Sequence, residues 1–244
     1  MENFFTGGFA VRGQRGRREQ IEISEVADNV TGEFENNQND KPAGDIKIEL
    51  EKIADEVRCC RKCGLGSLRT NAVPGEGKAN AQIVFVGEGP GADEDAQGRP
   101  FVGRAGKLLD KIITGCGLNR SDVFICNILK CRPPGNRDPG AEEIISCLPY
   151  LQRQIELINP DVIVALGAHA ARTLLDTNKS IGQLRGQFHE YYTGIGRAAI
   201  KLMATYHPAY LLRNYSQDNR RKVWEDMKKV LAELDLPIPE RGKK

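Results

Sequence analysis

The sequence predicts an α/β fold in three layers, α/β/α, built on a central four-stranded, mainly parallel sheet and preceded by a disordered N-terminal tail. Three observations predict it. Four short apolar runs lack the polar alternation of a sheet with one wet face, so both faces of their sheet must be covered. Segments of helical periodicity separate these runs, the pattern of parallel strands joined by helical crossovers. Residues 1–43 show neither period: Gly, Asn, Gln and charges dominate, and Asn36–Asp40 is a polar run. Such a segment buries too little apolar surface to offset the entropy of ordering.

The domain is expected over 44–240. Ile46, Leu50, Ile53 and Val57 recur at helical spacing and lead into Cys59 and Cys60. Gln82–Gly87 (QIVFVG) is the first strand and Arg104–Cys116 the helix after it. Val123–Ile128 (VFICNI) is the second strand, followed by a helix from about Gly140 to Leu157. Asp161–Leu166 (DVIVAL) is the third, with a short helix at Ala168–Leu175. Ile200–Thr205 (IKLMAT) is the fourth, and Gln217–Leu234 closes the domain. Right-handed crossovers put all four C-terminal strand ends on one edge, where such sheets bind ligands. The residues there are Gly87-Glu88-Gly89-Pro90-Gly91, Asn127, Gly167 and Tyr206-His207-Pro208, rich in glycine and polar groups.

The 244 residues carry a formal net charge of +2, so any nucleic-acid contact rests on a local basic face rather than on overall charge. No apolar stretch reaches the roughly 20 residues that span a bilayer. Met1–Ala10 is followed, not preceded, by Arg12, Arg15, Arg17 and Arg18, unlike a secretory signal. The expectation is a cytoplasmic protein without a membrane partner.

Seven cysteines are an odd number for a disulfide framework, and clustered thiols in a reducing compartment more often bind metal. Cys60-Arg61-Lys62-Cys63 is a C-x-x-C pair, and Cys131 and Cys147 form a second, wider one. Four thiolates from distant segments suit a tetrahedral metal or a cubane cluster, and spacing does not choose between zinc and iron–sulfur. Cys59 competes with Cys60, whose spacing is the tighter ligand pattern. Cys116 and Cys126 sit in apolar helix and strand contexts and read as inert core residues.

Three blocks make the chain recognisable: GEGPGADEDAQGRPFVGRAGKLLD (Gly87–Asp110), NILKCRPPGNRDP (Asn127–Pro139) and YHPAYLLR (Tyr206–Arg213). With the C-x-x-C before them and Cys147 after the second, they resemble type-4 uracil-DNA glycosylases from about Val57 to Leu234. The resemblance implies excision of uracil from DNA by hydrolysis of its N-glycosidic bond, as in base excision repair. It also implies a [4Fe–4S] cluster of structural character on Cys60, Cys63, Cys131 and Cys147. The substrate must leave the base stack to be reached, and charge on the departing base calls for aimed donors. By resemblance, Asn127 reads the uracil edge, Phe101 stacks on its face, and His207 donates to O2. The Gly87-Glu88-Gly89 turn brings backbone to the base. Glu88 orients water or stabilises the cationic sugar; alternatively it only shapes the turn, and Gly89 stands where better-known relatives carry an aspartate. Leu211 falls at the place of an intercalating wedge, with Leu212 its neighbour, and Arg213 is a phosphate contact. Arg99, Arg104, Arg132 and Arg137 are further candidates for a basic face, whereas His169 and His189 read as structural or surface residues.

The implied partner is uracil-containing DNA, single- or double-stranded, bound by a monomer that is nucleoid-associated when on DNA. Phe4 and Phe5 in the tail are a candidate docking segment for a replication or repair partner, against the plainer reading of a tail without a role. Two other functions compete. A binder that traps the sugar covalently through the motif histidine carries a basic loop before it, which Leu184–Thr193 lacks. A redox or structural iron–sulfur module leaves Phe101, Asn127 and His207 without a purpose.

Overall fold

A computed structural model describes residues 42–194 and 198–239. The tail expected over 1–43, with Phe4 and Phe5, lies outside the described residues up to Lys41, and the first helix begins at Ala43.

The expected strands form where the apolar runs are: β2 (Ile83–Gly87), β3 (Phe124–Asn127), β4 (Val162–Leu166) and β6 (Ile200–Thr205) are mutually parallel, in the order β3-β2-β4-β6. Two antiparallel edge strands widen this core to a six-stranded mixed sheet: β1 (Glu76–Gly77) beside β3, and β5 (Phe188–Tyr191) beside β6. Both edges are short and partly exposed. They carry no apolar run for a sequence reading to find.

Alternation along the buried strands sorts side chains to two cores. Val84, Val86, Ile163 and Ala165 face α1 (Ala43–Cys59), α5 (Ala141–Ile158), α6 (Ala168–Leu175) and α7 (Ile181–Leu184). Ile83, Phe85, Val162 and Val164 face α4 (Arg104–Gly115), α8 (Pro208–Arg213) and α9 (Gln217–Glu233). Two further short helices, α2 (Leu65–Leu68) and α3 (Ala92–Gln97), follow the C-x-x-C and the glycine-rich turn. Among the described residues no helix is long and apolar enough to cross a membrane.

The chain runs from β2 outward to β3 and then crosses back to β4 on the other side of β2. That reversal opens a crevice between the C-terminal ends of β2 and β4, the position at which open α/β sheets take ligands. Buried polar pairs pin the neighbouring strand ends. Thr205 Oγ1 donates to Asp226 at 2.6 Å, and Arg185 pairs with the same fully buried carboxylate at 2.6 Å. Lys130, fully buried after β3, donates to the Asn127 carbonyl at 3.0 Å and to Gln154 at 2.7 Å.

Candidate active site

The strand ends converge on an open cavity of about 460 Å³. Glu88, Gly89, Phe101, Asn127, His207 and Arg213 all line it. Gly87 is buried at the end of β2, against two of the lining residues. A Cβ there would lie 2.4 Å from Asn127 Oδ1 and 2.6 Å from the Phe101 ring, so only glycine lets these two groups meet. Asn127 is paired in register with Gly87 and is 1 % exposed. Its Oδ1 is the one buried side-chain polar atom without a hydrogen-bond partner among the described residues. Leaving a buried acceptor without a partner costs about 1–3 kcal/mol.

Phe101 is buried at φ 50°, a left-handed conformation unusual for an aromatic residue. It persists because the surroundings hold it on both sides. Glu94 on α3 accepts from the Val102 and Gly103 amides, each at 2.9 Å, while Arg120 donates to the Pro100 and Phe101 carbonyls at 2.5 and 3.3 Å. Arg120 is itself held by Glu76 and Asp110. The ring so placed lies with its centroid 5.7 Å from that of His207.

His207 caps α8, and its Nδ1 accepts the Ala209 amide proton at 3.0 Å. A backbone amide can only donate, so the neutral ring carries its proton on Nε2. Burial, with a smaller contribution from Arg213, pushes its pKa down to about 4. Gly167, at φ 93°, completes the wall, since a Cβ there would meet the His207 Cβ at 2.9 Å. Glu88 is half-buried, and burial raises its carboxyl above the ordinary carboxylate range.

Several polar residues of the cavity were not read from the sequence as part of it. His169 lines it, rather than standing apart as a structural or surface residue, and so do Asp138 and Glu94. His189 is structural as read, bonding the Leu184 carbonyl at 2.8 Å. Of the other basic candidates, Arg137 reaches the cavity but is forked onto Glu143, and Arg99 is engaged by Glu76.

The wedge expected at Leu211 is corrected. Leu211 is 4 % exposed and shares a core cluster with Val223 and Met227, so it cannot enter a base stack without leaving that core. Leu212 is 38 % exposed and Arg213 beside it is exposed. Leu211→Ala should therefore cost about 2–5 kcal/mol of stability, as buried leucine truncations do. Leu212→Ala should stay within about 0.5 kcal/mol, as at other surface positions. Denaturant melts of the two variants check this.

Cys60, Cys63, Cys131 and Cys147 surround a second, small void. Arg69 donates to Cys131 Sγ at 3.0 Å and the Lys62 amide to Cys60 Sγ at 3.5 Å. Among the described residues, the trio whose ligand atoms all lie within 4.8 Å of one another is Glu88, Asp138 and His169, and the cysteines form no such trio. Thiolates on a single zinc would stand about 3.8 Å apart. Four converging thiols, two of them met by N–H donors, are a donor set that suits a metal or a cluster. Cys59 is exposed, while Cys116 and Cys126 are buried thiols, that of Cys116 pushed up to about 11 by burial.

The sequence profile of the Uracil DNA glycosylase superfamily matches residues 74–228. The chain is 50 % identical over 190 residues to a type-4 uracil-DNA glycosylase of Saccharolobus solfataricus, covering 76 % of this chain and 86 % of that protein. It is also 50 % identical over 182 residues to one of Thermotoga maritima (74 % and 92 %) and 48 % identical over 185 residues to one of Archaeoglobus fulgidus (74 % and 91 %). A profile match over more than half its length, with half-identical relatives covered nearly end to end, means that the chain belongs to the uracil-DNA glycosylase superfamily, with its type-4 members.

Proposed function

We propose that this cavity hydrolyses the N-glycosidic bond of uracil in DNA, releasing the base and leaving an abasic site. The observation that carries the reading is the orphaned, buried Asn127 Oδ1 at the foot of the cavity. Uracil offers N3–H to that acceptor and O4 to the amide Nδ2. Cytosine reverses both and leaves the buried amide doubly mismatched. Phe101, held rigid by Glu94 and Arg120, offers a flat face for the flipped base. His207 presents Nε2–H to O2, where charge gathers as the bond breaks. Its low pKa makes it a neutral donor at pH 7 that needs no proton from solvent. Glu88, at the half-buried rim, orients the attacking water or stabilises the cationic sugar.

Duplex DNA adds the cost of unstacking. Arg213, which is exposed, would take a phosphate, and the exposed Leu212 would fill the gap left by the base. Leu212→Ala should slow uracil release from duplex about tenfold more than from single strands, since only the duplex has a gap to fill. Equal losses on both substrates would remove the wedge.

Cys60, Cys63, Cys131 and Cys147 would hold a [4Fe–4S] cluster. When bound, it supplies a covalent tie between the α1–α2 connection, the loop after β3, and α5. That loop begins directly after Asn127, so the tie would stiffen the base-reading residue from behind. Cys131→Ser should abolish visible iron–sulfur absorption. Losing a crosslink of this reach costs about 3 kcal/mol, or roughly 6–12 °C in Tm for a domain of this size. Purified protein holding one zinc and no iron would contradict the cluster.

The test of function is incubation with excess uracil-containing oligonucleotide followed by alkali. Several abasic sites per protein molecule support a hydrolase that turns over. A stoichiometric protein–DNA adduct would replace it with a covalent binder.

A further inference from the structure

We propose that His169 and Asp138 are opposed positioning residues for Glu88, together setting its charge at the mouth of the cavity. The inference rests on the reading of Glu88 as a carboxylate that acts on water or sugar.

The fold brings the three together from separate elements. Glu88 follows the C-terminal end of β2, His169 is the second residue of α6 after β4, and Asp138 lies in the loop between β3 and α5. β2 and β4 flank the crevice where the strand order reverses, so Glu88 and His169 face each other across it. Their ligand atoms and that of Asp138 all lie within 4.8 Å of one another, and His169 Nε2 is 3.6 Å from Asp138 Oδ1. All three line the cavity that holds Asn127 and His207.

At such separations charges act strongly on a half-buried group, because water screens them incompletely. Burial pushes the Glu88 carboxyl upward, toward a neutral acid that would serve poorly as a carboxylate. A protonated His169 pulls it back down, Asp138 pushes it up, and Arg213 on α8 pulls down from the third side. His207 caps α8 on the same cavity, and Arg137 there is neutralised by Glu143. The exposed His169–Asp138 pair contributes little to stability. Its placement makes it a setting for Glu88 instead.

The consequence is a pair of opposite shifts in the pH profile of kcat/KM. His169→Gln removes a cation beside Glu88, so the carboxyl holds its proton to higher pH and the acid limb moves up by roughly half a unit to one unit. Asp138→Asn removes an anion, and the limb moves down. A purely structural role would scale the whole profile without moving it, and would not move it in opposite directions.

The experiment is the pH dependence of uracil release from a single-stranded oligonucleotide by the full chain and by His169→Gln, Asp138→Asn and Glu88→Gln. Assays contain EDTA, so that a divalent ion held by the same three side chains plays no part. Opposite displacements, with the acid limb absent in Glu88→Gln, are expected. A limb that persists in Glu88→Gln would overturn the reading of Glu88 itself. A limb that vanishes in Glu88→Gln but stays in place in the other two variants would overturn only the role given to His169 and Asp138.

Discussion

Asn127→Ala should lower kcat/KM for uracil release by about three orders of magnitude, the upper range for losing a preorganised polar group aimed at a reacting base. It should do so without loss of stability. Asn127 Oδ1 is buried with no partner, enclosed by the Phe101 ring and the Gly87 backbone. Removing an unsatisfied buried acceptor relieves a desolvation cost of about 1–3 kcal/mol, which offsets the small cavity left by the truncation. Activity and stability should therefore part company at this position, with a Tm equal to or above that of the parent. Steady-state kinetics and a thermal melt on the same preparation check both halves. Unchanged kcat/KM would remove Asn127 from base recognition, and a collapse in Tm would recast it as a framework residue.

His207→Ala should reduce kcat by about 10² to 10³, the range for deleting one donor to a developing oxyanion, with a smaller effect on KM because the donor matters most in the transition state. The variant also changes the acid stability of the fold. The pKa of His207 falls from an ordinary 6.5 to about 4 on folding, chiefly by burial. The unfolded chain thus binds the proton more readily, and stability falls as pH drops from about 6.5 through about 4. Above that window His207 is neutral in both states and contributes no pH dependence. His207→Ala should lose this part of the acid destabilisation, so the Tm gap between pH 7 and pH 4.5 narrows. An imidazole signal titrating near 6.5 in the folded protein would contradict both the neutral donor and the stability window.

The four parallel strands were legible because each is a largely apolar run, buried on both faces apart from Lys201, and Ile200–Thr205 matches its predicted bounds. The helices at Arg104 and Gln217 were legible from their periodic apolar faces. β5 was not, because Phe188–Tyr191 is a half-exposed edge strand whose single buried residue is Tyr191. The site was legible in its strand-end residues and illegible in what supports them. Glu94 and Arg120 are charged residues in polar contexts, and no local pattern tells that their partners are the backbone around Phe101. The one available signal was Glu94 three residues after Gly91, a helix-start pattern. Leu211 and Leu212 show the opposite failure. Adjacent leucines on a short helix are equivalent in sequence, and only the packing of α8 into the core decides which is buried. His169 was read as a structural or surface residue because its place in the cavity depends on β2 and β4 being neighbours.

The most direct test is base release from matched oligonucleotides carrying a single uracil, cytosine or thymine, measured at multiple turnover with the iron content of the protein known. Turnover on uracil and none on cytosine is expected, because Asn127 can satisfy the uracil edge and clashes in hydrogen-bond sense with the other. Release of cytosine at a comparable rate, or no release of uracil from protein with its metal site filled, would contradict the claim that the buried amide selects the base.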